Sequence, residues 1–283
     1  MCIITAGQPG AWQTDPMFTR IADALSANRL TRNISAMVSG NAVARVFGIL
    51  ALPFITRIYS PADFGVLAVF VAFLGIILPF ITLRYSVAIP LPTRDGTAVN
   101  LMALCFMLTA GTTIVAALSL AIFSGSGILG EYADIGQWWW AIAIGILATG
   151  IHESLGAWAV RKSELAPVAK TMVYQSIGSA GSKVLLGAAG IKPAGLIIGH
   201  IVGLAVGALA LVRAFGRDVY SKLSRVSLRR IAVVSRRYSE FPKFRLPSQF
   251  LLALSAQAPI LFAAWLFGDA TTGQLGLALI IVG

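Results

Sequence analysis

The chain has 283 residues, 57% of them hydrophobic and only 12% charged, with a mean hydropathy of +0.83. Soluble domains carry about 25% charged residues, so these values exclude a soluble globule, a secreted domain and a single-pass anchor. The 22 Lys and Arg outnumber the 11 Asp and Glu, but apolar runs separate the cations too widely for a nucleic-acid-binding face. Cys2 lies in an N-terminal tail and Cys105 inside an apolar run, so neither a disulfide framework nor a metal site is expected, and no cofactor is implied.

A membrane span needs roughly 20 mostly apolar residues. Before the first such run, residues 1–34 hold no signal-peptide core, because Ile3–Ala6 is too short and Asp15 and Asp23 follow. They read as a cytoplasmic tail, with Met17 as an alternative start. Seven complete spans are predicted, at Ser35–Thr56, Phe64–Leu83, Ala98–Phe123, Trp138–Val160, Pro167–Ala189, Ala194–Val212 and Leu246–Phe267. An eighth begins near Thr271 and stops with the chain at Gly283, about 13 residues or roughly 20 Å of helix, too short to cross. The fold class is therefore an all-α polytopic membrane protein.

Cations alternate between the connections. The tail holds Arg20, Arg29 and Arg32, the second connection Arg84 and Arg94, the fourth Arg161, Lys162 and Lys170, and the sixth ten cations from Arg213 to Arg245. The intervening loops hold only Arg57 and Lys192, and the third carries the acids Glu131 and Asp134. The positive-inside bias then places the N-terminus in the cytoplasm. Trp138, Trp139 and Trp140 fall at the outer interface as an aromatic belt. In Arg213–Arg245, Leu228, Ile231, Ala232 and Tyr238 recur at helical spacing opposite Arg225, Arg229 and Arg236. A surface-lying amphipathic helix against anionic membrane lipids and an ordinary solvated linker both fit that pattern.

Sliding the chain against itself by 208 residues places Ser39–Gly75 on Pro247–Gly283 without a gap. Gly65-Val66-Leu67 falls on Gly273-Gln274-Leu275, the turn Tyr59–Asp63 on Phe267–Thr271, and Asn41 on Gln249. Six helices separate the copies, which keeps their orientation and predicts a parallel repeat; chance similarity of two apolar segments is the alternative. The division that follows is a tail (1–34), a six-helix lobe (35–212), a basic cytoplasmic linker (213–245), and the first helix and partial second helix of another lobe (246–283). On this reading the chain is C-terminally truncated.

Charged residues inside spans are costly and mark sites. Arg45 lies midway along the first span, one turn from Asn41; Lys183 lies deep in the fifth and His200 near the outer end of the sixth. A guanidinium grips a phosphate by two parallel hydrogen bonds and an ammonium acts as a point charge, so Arg45 and Lys183 suit a pyrophosphate. Each also has a structural reading as a bridge to an acid or to helix-end carbonyls. Glu153, beside His152, is the one carboxylate well inside a span. It suits a structural ion pair with Arg45 or Lys183, or a titrating role in a coupled cycle. Arg84 lies at the inner mouth, and Gly199, Gly203 and Gly207 form a face for close helix packing.

The run Ser39-Gly40-Asn41 through Leu52-Pro53 to Thr56–Gly65 resembles the opening of the bacterial polysaccharide biosynthesis proteins. These are the Wzx-type flippases of lipid-linked oligosaccharides, in the multidrug/oligosaccharidyl-lipid/polysaccharide exporter superfamily. Leu83–Ile89, Gly195–Gly199 and Tyr238–Pro242 are similar to the same family, in the same order. The resemblance implies a MATE-like pair of six-helix bundles around a cavity that opens alternately to either face. It implies an undecaprenyl-pyrophosphate-linked oligosaccharide as cargo, carried outward for O-antigen, capsule or exopolysaccharide synthesis, with polysaccharide polymerase machinery as a partner and the bacterial inner membrane as location. Arg45, Lys183, Asn41, Arg84 and His200 are the expected substrate contacts, with Glu153 and His152 as a coupling or structural pair.

Two other classes compete. An organic-cation exporter of the same superfamily would want an acidic or aromatic cavity, whereas Arg45, Lys183 and two histidines stand against one glutamate. An enzyme would want paired carboxylates or a nucleophile constellation in a sizeable loop, and neither is visible. An inactive remnant is the third reading of the short second lobe.

Overall fold

The apolar runs fold as helices, and no strand occurs among the described residues, which are 29–123 and 136–282 of a computed structural model. The tail through residue 28, with Cys2 and Arg20, lies outside the described residues, as do Glu131 and Asp134. The helices are α1 (Arg29–Ile58), α2 (Pro61–Ile81), α3 (Asp95–Phe123), α4 (Trp139–Lys162), α5 (Ala166–Ala188), α6 (Ala194–Tyr220), α7 (Leu228–Arg237) and α8 (Leu246–Val282). A 3-10 turn at Tyr85–Ala88 follows α2, and a π-turn at Phe241–Arg245 leads into α8.

Among the described residues, six stretches are long and apolar enough to cross a membrane: Ser35–Ile58, Pro61–Ile81, Asp95–Ile122, Trp139–Lys162, Ala194–Tyr220 and Phe241–Ile280. The chain is a multi-pass, all-α membrane protein. This number differs from the predicted seven and a part for two physical reasons. Helix α5 forms over 23 residues, but Lys170, Gln175, Lys183 and its Gly and Ser residues dilute its hydropathy below that of a lipid-facing span. The last stretch, in turn, is two helical arms in one, broken at Gly268 (φ 75, ψ −179).

The backbone reverses at Gly268. Phe80 of α2 stacks edge-on against Phe250, with ring centroids 5.2 Å apart, and Gly75 lies beside Gln257. The first arm of α8 therefore runs antiparallel to α2. Beyond the break, Gly273 lies against Pro61 and Gly65, and Gly276 against Ala68, so the second arm runs parallel to α2. Gln257 and Ile280 line one small cavity with Leu67 and Val71, which places the arms side by side. The backbone at residue 268 needs a positive φ that only glycine adopts without strain.

The parallel crossing matches the 208-residue offset contact for contact. A Cβ placed on Gly65 would sit 2.7 Å from the Asp269 carbonyl carbon, and one on Gly273 would sit 2.9 Å from that of Pro61. Pro61 and Asp269 are equivalents under the offset, as are Gly65 and Gly273, and Ala68 and Gly276. Residues aligned by the offset thus make reciprocal contacts about a local two-fold axis, and α2 and the second arm of α8 cross glycine on glycine.

Local chemistry sets the joints between helices. Ser60 caps α2: its backbone N–H donates to Asp63 Oδ2 at 2.8 Å, while its hydroxyl oxygen accepts from the Asp63 N–H at 3.3 Å. This reciprocal box, with Pro61 in the first turn, is a strong helix start. Ser163 ends α4 in the left-handed region (φ 56) directly after Arg161 and Lys162. Tyr59 donates its hydroxyl to the Lys183 carbonyl at 2.9 Å, tying the α1–α2 turn to α5.

Packing runs α1 on α5, α5 on α6, α6 on α4 and α4 on α3, with α2 against this group and α8 against α2. One apolar cluster joins α2, α4 and α6 through Phe70, Ile142, Ile146, Leu196 and Ile197; a second, nearer the basic ends, joins α3, α4 and α6 through Met102, Leu155, Trp158, Leu211 and Phe215. The Gly199, Gly203 and Gly207 face of α6 receives Lys183, Ser179 and Gln175 of α5, the close approach that small residues permit. Exposed apolar residues such as Phe47 and Phe54 on α1 and Phe262 and Trp265 on α8 face outward, as a lipid environment allows.

Candidate functional site

Between the end of α2 and the 3-10 turn, Leu83 (φ 47) and Arg84 (φ 61, ψ 13) both take left-handed backbone conformations. Each such non-glycine residue costs on the order of 1–3 kcal/mol, and here the strain points Arg84 at Glu153 of α4. The Arg84 Nη1 to Glu153 Oε1 distance is 3.6 Å, and Arg84 Nη2 donates to Gln249 Oε1 at 3.3 Å. Ser86 donates to Glu153 Oε1 at 2.6 Å, and Thr82 donates to Ser86 at 3.2 Å. Both Thr82 and Ser86 are buried, and the charged side chains are 20% and 23% exposed.

The cluster is charged, half-buried and incompletely satisfied. Arg84 Nε and Glu153 Oε2 are buried and have no hydrogen-bond partner among the described residues. A buried charged group left this way costs at least about 1–3 kcal/mol, so the site has capacity for one more donor and one more acceptor. Gln249 brings the first arm of α8 to the cluster, which makes it a junction of α2, α4 and α8.

His152 faces α5. Its Nε2 lies 3.3 Å from Thr171 Oγ1, and the Thr171 hydroxyl is also 2.7 Å from the Val168 carbonyl, to which it can donate. Glu153 and His152 are sequence neighbours with separate partners, and the acid's ion pair is with Arg84, where sequence reasoning expected Arg45 or Lys183. Those two cations stand elsewhere. Arg45 and Asn41 are exposed one turn apart on α1, beside the face where Gly40 and Ala44 meet Ala169 and Ser176 of α5. Lys183 packs its stem on Gly199, next to His200, whose ring stands edge-on to Phe70 at 6.3 Å.

Sequence reasoning missed a second cluster at the basic end. Asp95 accepts from Arg161 Nη2 at 2.8 Å and lies 3.7 Å from Lys162 Nζ and 3.4 Å from Lys222 Nζ. Asp218 accepts from Lys222 at 2.6 Å and from the Trp158 indole at 2.9 Å, with Lys162 at 3.6 Å. Arg161 also donates to the Pro92 carbonyl. The three cations surround the fully buried Trp158 ring, Lys222 at 5.0 Å and Lys162 at 5.3 Å from its centroid. Burial disfavours the charged form of Lys222, but the Asp218 carboxylate, aided by Asp95, outweighs it and holds this lysine above its ordinary range. Arg161 and Lys162 thus carry structural ion pairs. The visible signal was an acid at the end of each of two spans, Asp95 and Asp218.

No family model, curated protein or solved structure matches the chain.

Proposed function

We propose that the chain is a flippase of the bacterial cytoplasmic membrane, N-terminus inside. Its cargo is an undecaprenyl-pyrophosphate-linked oligosaccharide repeat unit, moved from the inner to the outer leaflet by alternating access. The observation that carries this reading is the crossing of α2 with the second arm of α8, in which residues 208 apart make equivalent contacts. Parallel repeats that meet on such an axis are a transporter design, with the substrate between the repeats. A sugar pyrophosphate cannot cross hydrocarbon unaided. Arg84 supports the cargo assignment because it stands where the first repeat meets α8 and keeps one buried donor unfilled. Arg45, Asn41, Lys183 and His200 are proposed as further contacts along the path, and Glu153 as the acid that releases or holds Arg84.

The test is the fate of the lipid-linked glycan. Deleting the gene should accumulate undecaprenyl-linked oligosaccharide on the cytoplasmic leaflet and deplete surface glycan. The wild-type gene should restore it, and Arg84→Ala at equal protein level should not. Normal surface glycan with altered tolerance to organic cations would overturn this reading in favour of the drug-exporter class.

A further inference from the structure

The basic linker folds onto the start of α3 and forms with it an open cavity of about 900 Å³. Buried Asn100 makes the joint: its amide donates to the Arg225 carbonyl at 3.1 Å, and its oxygen accepts from the Ser227 N–H at 3.1 Å. Ser227 is the residue before α7, so one side chain sets where that helix begins. Ile231 and Val234 then bury the apolar face of α7, and Tyr85 donates to the Ser235 carbonyl at 2.9 Å. Arg229, Arg230 and Arg237 of α7, with Val233 and Val234, face a space shared with the start of α3.

Arg94, Arg225, Arg229, Arg230 and Arg237 all line the cavity. The one acid in its wall is Asp95, and that carboxylate is already engaged by Arg161, Lys162 and Lys222. Among the described residues none of the five guanidiniums has an ion pair; Arg230 donates to the Arg225 carbonyl at 3.1 Å. Five like charges held around one space by a fixed helix repel one another unless an anion joins them. The guanidinium fork fits phosphoryl oxygens in pairs, and the volume lies within the 300–1,000 Å³ range of small-molecule sites. Neither Arg84 nor Glu153 borders this cavity, so it is separate from the α2–α4–α8 junction.

We propose that this cavity is a binding site for a phosphorylated anion, its phosphoryl oxygens held by Arg225, Arg229 and Arg230 with Arg94 and Arg237 at the rim. The proposal does not depend on the flippase reading. The ligand's phosphate is either free in solution or carried by an anionic lipid headgroup, and two arms of one experiment separate these sources. The full chain is reconstituted in nanodiscs of phosphatidylcholine alone and titrated with inorganic pyrophosphate by calorimetry. In parallel, nanodiscs that also contain phosphatidylglycerol are analysed by native mass spectrometry for retained lipid.

The variant is Arg225→Gln/Arg229→Gln/Arg230→Gln, with Arg213→Gln/Arg217→Gln as a control of equal chemistry outside the cavity. Binding in either arm that weakens about tenfold or more in the triple variant and stays unchanged in the control supports the site, and the responding arm names the source. Equal binding by wild type and triple variant in both arms, no binding in either, or equal losses in variant and control, would overturn it. All three substituted arginines are exposed. The single changes Arg229→Gln and Arg230→Gln give the same reading if the triple variant does not fold.

Discussion

Replacing Gly65 with alanine tests the helix crossing that organises the fold. In an ordinary helix interior the change should stabilise, because alanine is favoured over glycine by about 1 kcal/mol. At Gly65 the new methyl would stand 2.7 Å from the carbonyl carbon of Asp269 and 2.9 Å from its Cα. The Asp269 carbonyl oxygen is nearer still, so restoring an ordinary separation requires α2 and the second arm of α8 to part by more than about 1 Å, and a gap of that size forfeits about half or more of the dispersion energy of each affected contact. Forced methyls in packed interiors cost about 1–3 kcal/mol, so the net effect should be destabilising by about 0–2 kcal/mol after the propensity gain. Gly273→Ala should match it, since its methyl meets Pro61 in the same way. The double variant should lose less than the two singles combined, because helices already parted by one methyl accommodate the other. Gly111→Ala, with nothing within 4 Å of the added carbon, is the control and should be neutral or stabilising. The assay is thermal unfolding of the detergent-purified protein, followed by loss of monodisperse material. If Gly65→Ala and Gly273→Ala raise stability as Gly111→Ala does, the close crossing does not exist.

Three further outcomes are expected. Glu153→Gln keeps an acceptor for Ser86 but leaves Arg84 without its counter-charge; a loss of about 1–3 kcal/mol is expected, and adding Arg84→Gln should recover part of it in a double-mutant cycle, whereas strict additivity would mean the two do not interact. Gly203→Val should drive α5 from α6, because an added carbon lies 2.8 Å from the Ser179 Cβ and 3.0 Å from the Gln175 carbonyl oxygen; a destabilisation of about 1–3 kcal/mol in the same unfolding assay checks it. Lys222 has its folded value raised above the ordinary 10.5, so its contribution is complete below that pH and is lost as pH rises through the folded value. The stability difference between wild type and Lys222→Met should be flat up to about pH 10 and shrink above it; a difference that grows with alkalinity would reverse the assigned sign.

The helices were legible because a bilayer demands long apolar runs, and their order, the turn at Tyr59–Asp63 and the restart after Gly268 all follow from that demand. The offset of 208 aligned Gly65 with Gly273, and those two glycines meet where α2 crosses the second arm of α8. Partners were less so. Glu153 could be assigned a role as the lone acid inside a span, but its pairing with Arg84 depends on the left-handed backbone at residues 83 and 84, and no spacing rule predicts a strained non-glycine pair. Asp95 and Asp218 are 123 positions apart in sequence, and only the packing of α3, α4 and α6 brings them to the same lysines. Likewise, helical spacing allowed the linker helix to lie on the membrane surface or to be a solvated linker; its packing against α3 depends on Asn100, an amide in an apolar run.

The glycine crossing carries one more implication. Because the contact is reciprocal, Gly65 on Asp269 and Gly273 on Pro61, a side chain added at either glycine parts the same two helices, so neither position is free to vary independently of the other.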